Sequence, residues 1–125
     1  MLMKRLVMDL DNTISKTVGG DYRNAAPVAD VVNMMRLYRD RGFEIVISTA
    51  RNMRTYEGNV GKINANTLPT IIAWLGEHDI PYDEILVGKP WCGYEGFYVD
   101  DRAVRPSEFV GMSSEEIERM LRDEL

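Results

Sequence analysis

Arg5-Leu6-Val7-Met8-Asp9-Leu10-Asp11-Asn12-Thr13 joins a short apolar run to two carboxylates set two residues apart. Arg5 to Leu10 predicts a buried strand that ends at this first Asp cluster. Carboxylates at the end of a buried strand have no structural use unless they are paired or bind a metal, because an ionised group is expensive to take out of water. The rest of the chain shows what sheet that strand enters.

Ser15 to Ala25 is polar, carries Gly19-Gly20 and predicts a loop. Pro27 then opens a helix in which Val28, Val31, Val32, Met35 and Tyr38 follow helical spacing, and Gly42 ends it. Phe43 to Ser48 is a second strand, rich in β-branched residues. Ala50 to Asn66 holds Gly58, Gly61 and several polar residues and predicts a loop longer than a structural connection needs. Thr67 caps the next helix, with Leu68, Ile71, Ile72 and Leu75 on one face. Pro81 separates it from a third strand, Glu84 to Val87. A second loop, Gly88 to Gly96, leads into a further strand, Phe97-Tyr98-Val99, which closes on Asp100-Asp101. A helix from about Ser114 to Leu121 follows, with Ser113 and Glu116 spaced as a capping box.

This alternation predicts an α/β fold, a mainly parallel sheet with flanking helices, formed as one domain over residues 1–125. In such sheets the ligand lies beyond the carboxyl ends of the strands, and each polar cluster of this chain falls at one of those ends.

With 45% apolar and 28% charged residues, the composition is that of an ordinary globular protein. A net charge of −5 argues against nonspecific binding to nucleic acid or anionic membranes, so a pocket for an anion needs locally placed cations and a metal. Cys92 is the single cysteine, which excludes an intrachain disulfide and a thiolate cluster and fits a reducing cytoplasm. From Met1 to Asp9 the apolar run is too short for a signal-peptide core, and no stretch approaches a membrane span. Arg122-Asp123-Glu124-Leu125 resembles a luminal retention tag but reads as the charged end of a helix.

Four clusters carry chemistry. Asp9 can attack phosphorus while Asp11 protonates the leaving oxygen and later activates water. Alone, this string also fits a solvated turn. Ser48-Thr49-Ala50-Arg51 follows the second strand and offers a hydroxyl to a phosphoryl oxygen, although a threonine there commonly satisfies its own backbone. Lys89, beyond the third strand, can neutralise both the phosphoryl group and the attacking carboxylate. Asp100-Asp101 closes an apolar strand and needs a cation, for which hard carboxylate oxygens suit Mg²⁺.

The order Asp pair, Thr, Lys, Asp pair, each after its own strand, resembles the haloacid dehalogenase superfamily of phosphohydrolases over nearly the whole chain. That resemblance implies a Rossmann-like core in which Asp9 is the nucleophile, Asp11 the general acid/base, Thr49 the second-motif hydroxyl and Lys89 the third-motif lysine. Asp9, Asp11, Asp100 and Asp101 would hold Mg²⁺. Lys62 is a second candidate for the lysine, and Arg51 and Lys62 are candidates for binding substrate. Asn12 stands where glycine is commoner, and asparagine tolerates left-handed backbone. Ile45 to Arg54, Tyr82 to Trp91 and Tyr98 to Pro106 further resemble the bacterial capsule-biosynthesis phosphatase branch. This implies hydrolysis of a sugar phosphate or similar small metabolite in surface-polysaccharide synthesis. The alternatives are a nucleotide or polynucleotide-end phosphatase, which should carry a basic groove, and a noncatalytic phospho-ligand module, which should lose Asp9, Asp11 or Lys89.

Neither the interval from Asp11 to Thr49 nor that from Thr49 to Lys89 has room for an inserted cap. A capless protein either takes a large substrate or has its site covered by the loops 50–66 and 88–96 or by another subunit of a homo-oligomer. His78 reads as a charge partner at a helix C-terminus, and Trp91, Cys92 and Tyr94 as a plug in the loop after Lys89. Arg54 and Arg102 are equally suited to the leaving group and to the solvated surface.

Overall fold

The computed structural model describes residues 3–125. Met1 and Leu2, part of the N-terminal run read above, lie outside the described residues. Contacts divide the chain into two compact units, Met1–Trp91 and Cys92–Leu125.

The first unit holds a three-stranded parallel sheet: β1 (Arg5–Met8), β4 (Glu44–Thr49) and β5 (Glu84–Val87), in the order β1-β4-β5. Val7 pairs with Val46 and Met8 with Ile47, while Ser48 pairs with Leu86 and Thr49 with Val87. β4 is the central strand, and its Ile45, Val46 and Ile47 are buried, as a strand covered on both faces requires. Helix α1 (Ala29–Asp40) connects β1 to β4 and packs on β4 through the face carrying Val31, Val32, Met35 and Tyr38. Helices α2 (Val60–Asn66) and α3 (Leu68–Glu77) connect β4 to β5, with Ile63, Ile71, Trp74 and Leu75 buried. The parallel strands with helical crossovers make a small Rossmann-like α/β core. Arg5 ties the entry side of the sheet together, meeting Glu84 at 2.9 Å and Glu44 at 3.8 Å.

The second unit carries α4 (Pro106–Gly111) and α5 (Ser114–Asp123), with Phe109 and Ile117 buried. Its capping box forms as read: Ser113 Oγ accepts from Glu116 N at 3.1 Å, and Ser113 N donates to Glu116 Oε1 at 2.9 Å. The hydrogen bond from the Ser113 backbone lowers the Glu116 pKa below its ordinary value.

Several elements differ from the sequence reading. The expected loop 15–25 is bounded by a small antiparallel ladder, β2 (Ser15–Lys16) with β3 (Ala26–Pro27). Pro27 therefore lies in a strand and α1 begins two residues later, after Val28 donates its N–H to Ile14 O. Part of the expected loop 50–66 is α2, capped by Asn59, whose side chain accepts from Lys62 N. Thr67 does not cap α3 with its side chain; it is buried and donates to Asn52 Oδ1 at 2.7 Å. Phe97-Tyr98-Val99 forms no strand, and its side chains are exposed. Trp91 and Tyr94 are exposed rather than plugging the loop. Among the described residues, no helix is long and apolar enough to cross a membrane.

Candidate active site

The sheet register brings three sequence-distant stretches to one edge. β1 ends at Met8, paired with Ile47, so Asp9 leaves the sheet beside the last residues of β4. Thr49 ends β4, and Lys89 N continues the ladder by donating to Thr49 O at 3.1 Å. Asp9, Thr49 and Lys89 thus occupy adjacent carboxyl ends of the sheet, where a parallel α/β core presents its ligand site.

Beyond β1 the chain makes a tight turn in which Leu10 O accepts from the N–H groups of Thr13, Ile14 and Ser15. The turn needs a left-handed residue, and Asn12 supplies it at φ 61°. Leu10 and Ile14 anchor the turn in the core. Thr13 is thereby folded back so that its hydroxyl donates to Asp9 Oδ2 at 3.0 Å. Lys89 Nζ lies 3.4 Å from the other oxygen, Asp9 Oδ1. Asp9 is held from both sides yet stays 38% exposed.

Asp11 is gripped from β4's exit. Arg51 Nε donates to its Oδ2 at 3.1 Å and Nη2 to its Oδ1 at 2.7 Å, a two-pronged pair that fixes the carboxylate plane. Arg51 is itself buried, and Tyr22 lies under its guanidinium at 4.2 Å from the ring centroid. The buried Thr49 hydroxyl accepts from Arg51 N at 3.1 Å, the local backbone role open to any threonine here, and retains its own hydrogen for donation.

Of the two candidate lysines, Lys89 is the one whose ammonium reaches Asp9; Lys62 stands exposed in the first turn of α2. Asp100 and Asp101 belong to the second unit, where both are exposed and Asp100 Oδ1 accepts from Arg102 N at 2.8 Å. Among the described residues, no three His, Cys, Asp or Glu side chains gather as a metal cluster. His78 is the C-cap of α3 and packs at a tilt against Trp74, ring centroids 4.8 Å apart.

Thr13 and Tyr22 acquire roles that the sequence reading did not give them. Thr13 was recoverable in principle: four residues after Asp9 and one after a left-handed Asn, a hydroxyl can return to the acid. Tyr22 had no local signal, since it sits in a polar segment whose path depends on the β2–β3 ladder.

No family model matches the chain, and no curated protein matches it closely. A crystal structure of an MCSG target from Vibrio cholerae is 63% identical, covers 98% of this chain and 100% of its own, and superposes with a TM-score of 0.96. This chain belongs to the family of that Vibrio protein. This chain also shares its fold, more distantly, with a chain in the structure of a Pnkp1/Rnl/Hen1 complex. There the identity is 18% and the TM-score 0.51, over 68% of this chain and 28% of that one.

Proposed function

We propose that this protein is a Mg²⁺-dependent phosphomonoester hydrolase of haloacid dehalogenase type, working through an aspartyl-phosphate on Asp9. The observation that carries this reading is Asp9 at the carboxyl end of β1, with the Lys89 ammonium at 3.4 Å on one oxygen and the Thr13 hydroxyl at 3.0 Å on the other. A nucleophile must be held still and partly open to its target, and Asp9 is both.

In the first half-reaction an Asp9 oxygen bonds to phosphorus as the ester P–O bond breaks, and the leaving oxygen takes a proton from Asp11. In the second, Asp11 takes a proton from water, whose oxygen attacks phosphorus; phosphate leaves and the Asp9 carboxylate returns. Arg51 orients Asp11 through its two-pronged pair, fixing the carboxylate that carries the proton in both half-reactions. Thr49 donates to a phosphoryl oxygen and Lys89 offsets its charge.

The donor chemistry fits Mg²⁺, which takes hard carboxylate oxygens and needs only one or two beside water. In the first unit Asp9 and Asp11, after β1, would hold it; Asp100 and Asp101 are proposed as further ligands from the sequence pattern alone. When bound, Mg²⁺ counters the repulsion between carboxylate and phosphate, about 4 kcal/mol for two unit charges 4 Å apart at an effective dielectric near 20. A small ester such as a sugar phosphate of surface-polysaccharide synthesis is the substrate proposed. The net charge of −5 favours it over a polynucleotide end, which should meet a basic groove.

The test is a screen of purified protein with Mg²⁺ against phosphorylated sugars, nucleotides and amino acids, repeated with Asp9→Asn. Wild-type turnover should vanish in excess chelator and return with Mg²⁺. A folded Asp9→Asn protein retaining about a tenth of the wild-type rate or more would eliminate the covalent route.

A further inference from the structure

Arg51 is a charge taken out of water: it is 5% exposed, and its fork on Asp11 occupies only one edge of the guanidinium. Two parallel hydrogen bonds fix that edge but leave a hinge, because the guanidinium can still tilt about the line joining the two Asp11 oxygens. Ser15 Oγ, 3.5 Å from Asp11 Oδ1, is too far to close that hinge. Tyr22 closes it. Its ring lies against the guanidinium face with the central carbon 4.2 Å from the centroid, so the plane has an aromatic backing in place of mobile water. The loop that brings Tyr22 there is pinned at several points. Tyr22 N donates to Gly20 O at 3.0 Å, the Asp21 carboxylate accepts from Asn24 N and Nδ2, and Ala25 O accepts from the buried Trp74 indole. Three stretches thus stand in series: Tyr22 beyond β2, Arg51 beyond β4 and Asp11 beyond β1.

We propose that Tyr22 is a positioning residue for the proton transfers of Asp11, acting through Arg51, and that the segment joining β2 to β3 thereby takes part in catalysis. This rests on the phosphatase reading, in which Asp11 gives a proton to the leaving oxygen and takes one from water. A proton carrier works only within hydrogen-bond reach of its target, and a misplacement of about an ångström is costly. Asp11 stays open to its targets, its side chain 23% exposed, while the Arg51 side chain behind it is 3% exposed. Tyr22 contributes the face of its ring rather than its hydroxyl, since a cation is drawn to the π cloud. Phenylalanine should therefore serve nearly as well, and leucine, of similar bulk but without that cloud, should not. The loss belongs in kcat, because the contact steers a proton carrier and not a binding group.

Steady-state kinetics on the best substrate of the screen reads the role directly. Tyr22→Leu should lower kcat about tenfold with KM little changed, and Tyr22→Phe should recover most of that loss. In an Arg51→Met background Tyr22→Leu should do nothing further, since the residue through which it acts is gone. Four results would each overturn the proposal: a wild-type kcat in Tyr22→Leu, a Tyr22→Phe as slow as Tyr22→Leu, a loss confined to KM, or the same effect of Tyr22→Leu with and without Arg51. The contact itself is read without turnover, by nuclear magnetic resonance. The Arg51 Nε–H signal, identified by its disappearance in Arg51→Met, should lie upfield under the ring current in the wild type and Tyr22→Phe, and move downfield in Tyr22→Leu. A signal indifferent to Tyr22→Leu takes the ring off Arg51, and the proposal falls. If the wild type hydrolyses no phosphoester, the phosphatase reading fails and the catalytic role goes with it; a Tyr22-dependent Arg51 signal would distinguish that failure from absence of the contact.

Discussion

Replacing Lys89 by alanine removes the cation 3.4 Å from Asp9 and should lower kcat/KM by about a hundredfold or more, as loss of a preorganised charge at a developing anion does. Lys62→Ala, on the exposed surface of α2, should stay within about twofold of wild type, since surface substitutions of this kind rarely act at a distance. Steady-state kinetics on the best substrate of the screen checks both, and equal losses would return Lys62 to consideration. Arg51→Lys keeps the charge but cannot reproduce the fork on Asp11. It should cut kcat by about ten- to a hundredfold with KM little changed, because it misplaces a proton carrier rather than a binding group. The positions of Asp9, Thr49 and Lys89 at the carboxyl edge of the sheet were legible in the sequence because each ends or closely follows a strand, whereas Asp100 and Asp101 follow none. Arg51's partner was not legible, since a bidentate pair across forty positions depends on the β1–β4 register, which no local pattern encodes.

At the scale of elements, the capping box of α5 offers a test independent of catalysis. Ser113→Ala removes the side-chain acceptor for Glu116 N and should cost about 1 kcal/mol in urea unfolding. Glu116 adds a pH dependence of known sign. Its folded pKa is lowered from 4.5 by the hydrogen bond from Ser113, so its contribution is present above that value and fades as pH falls through the folded pKa. The stability gap between wild type and Glu116→Ala should accordingly narrow below pH 4.5; a gap that widens in acid would contradict the assignment. Elements with strong periodicity or a complete cap, such as β4, α3 and α5, were readable from sequence. α2 was hidden because Val60–Asn66 is short, polar and contains Gly61, so its helical state rests on the Asn59 cap and the packing of Ile63. Thr67 misled for a related reason: its hydroxyl found a tertiary acceptor, Asn52, in place of the helix N-terminus. Residues 97–99 carry the composition of a strand, but a strand also needs an edge, and composition cannot say where that edge lies.

On the scale of the molecule, only β2, β3, α1 and β4 itself stand between Asp11 and Thr49, and α2, α3 and β5 between Thr49 and Lys89. These are the strands and crossovers of the sheet itself, so neither interval holds an inserted cap domain. With a net charge of −5, a labelled single-stranded oligonucleotide should show no rise in anisotropy at 0.15 M salt, where a basic groove would bind it. Saturable binding there would revive the polynucleotide-end reading. The placement of the two tryptophans also gives the protein a pair of optical reporters. Trp74 is 4% exposed, its indole N–H bound to Ala25 O, whereas Trp91 is 41% exposed and two residues past Lys89. Iodide should therefore quench the red-edge emission of Trp91 while sparing the bluer emission of Trp74. An anion seated against Lys89 would then announce itself as a loss of quenching, read without label, enzyme assay or mutation.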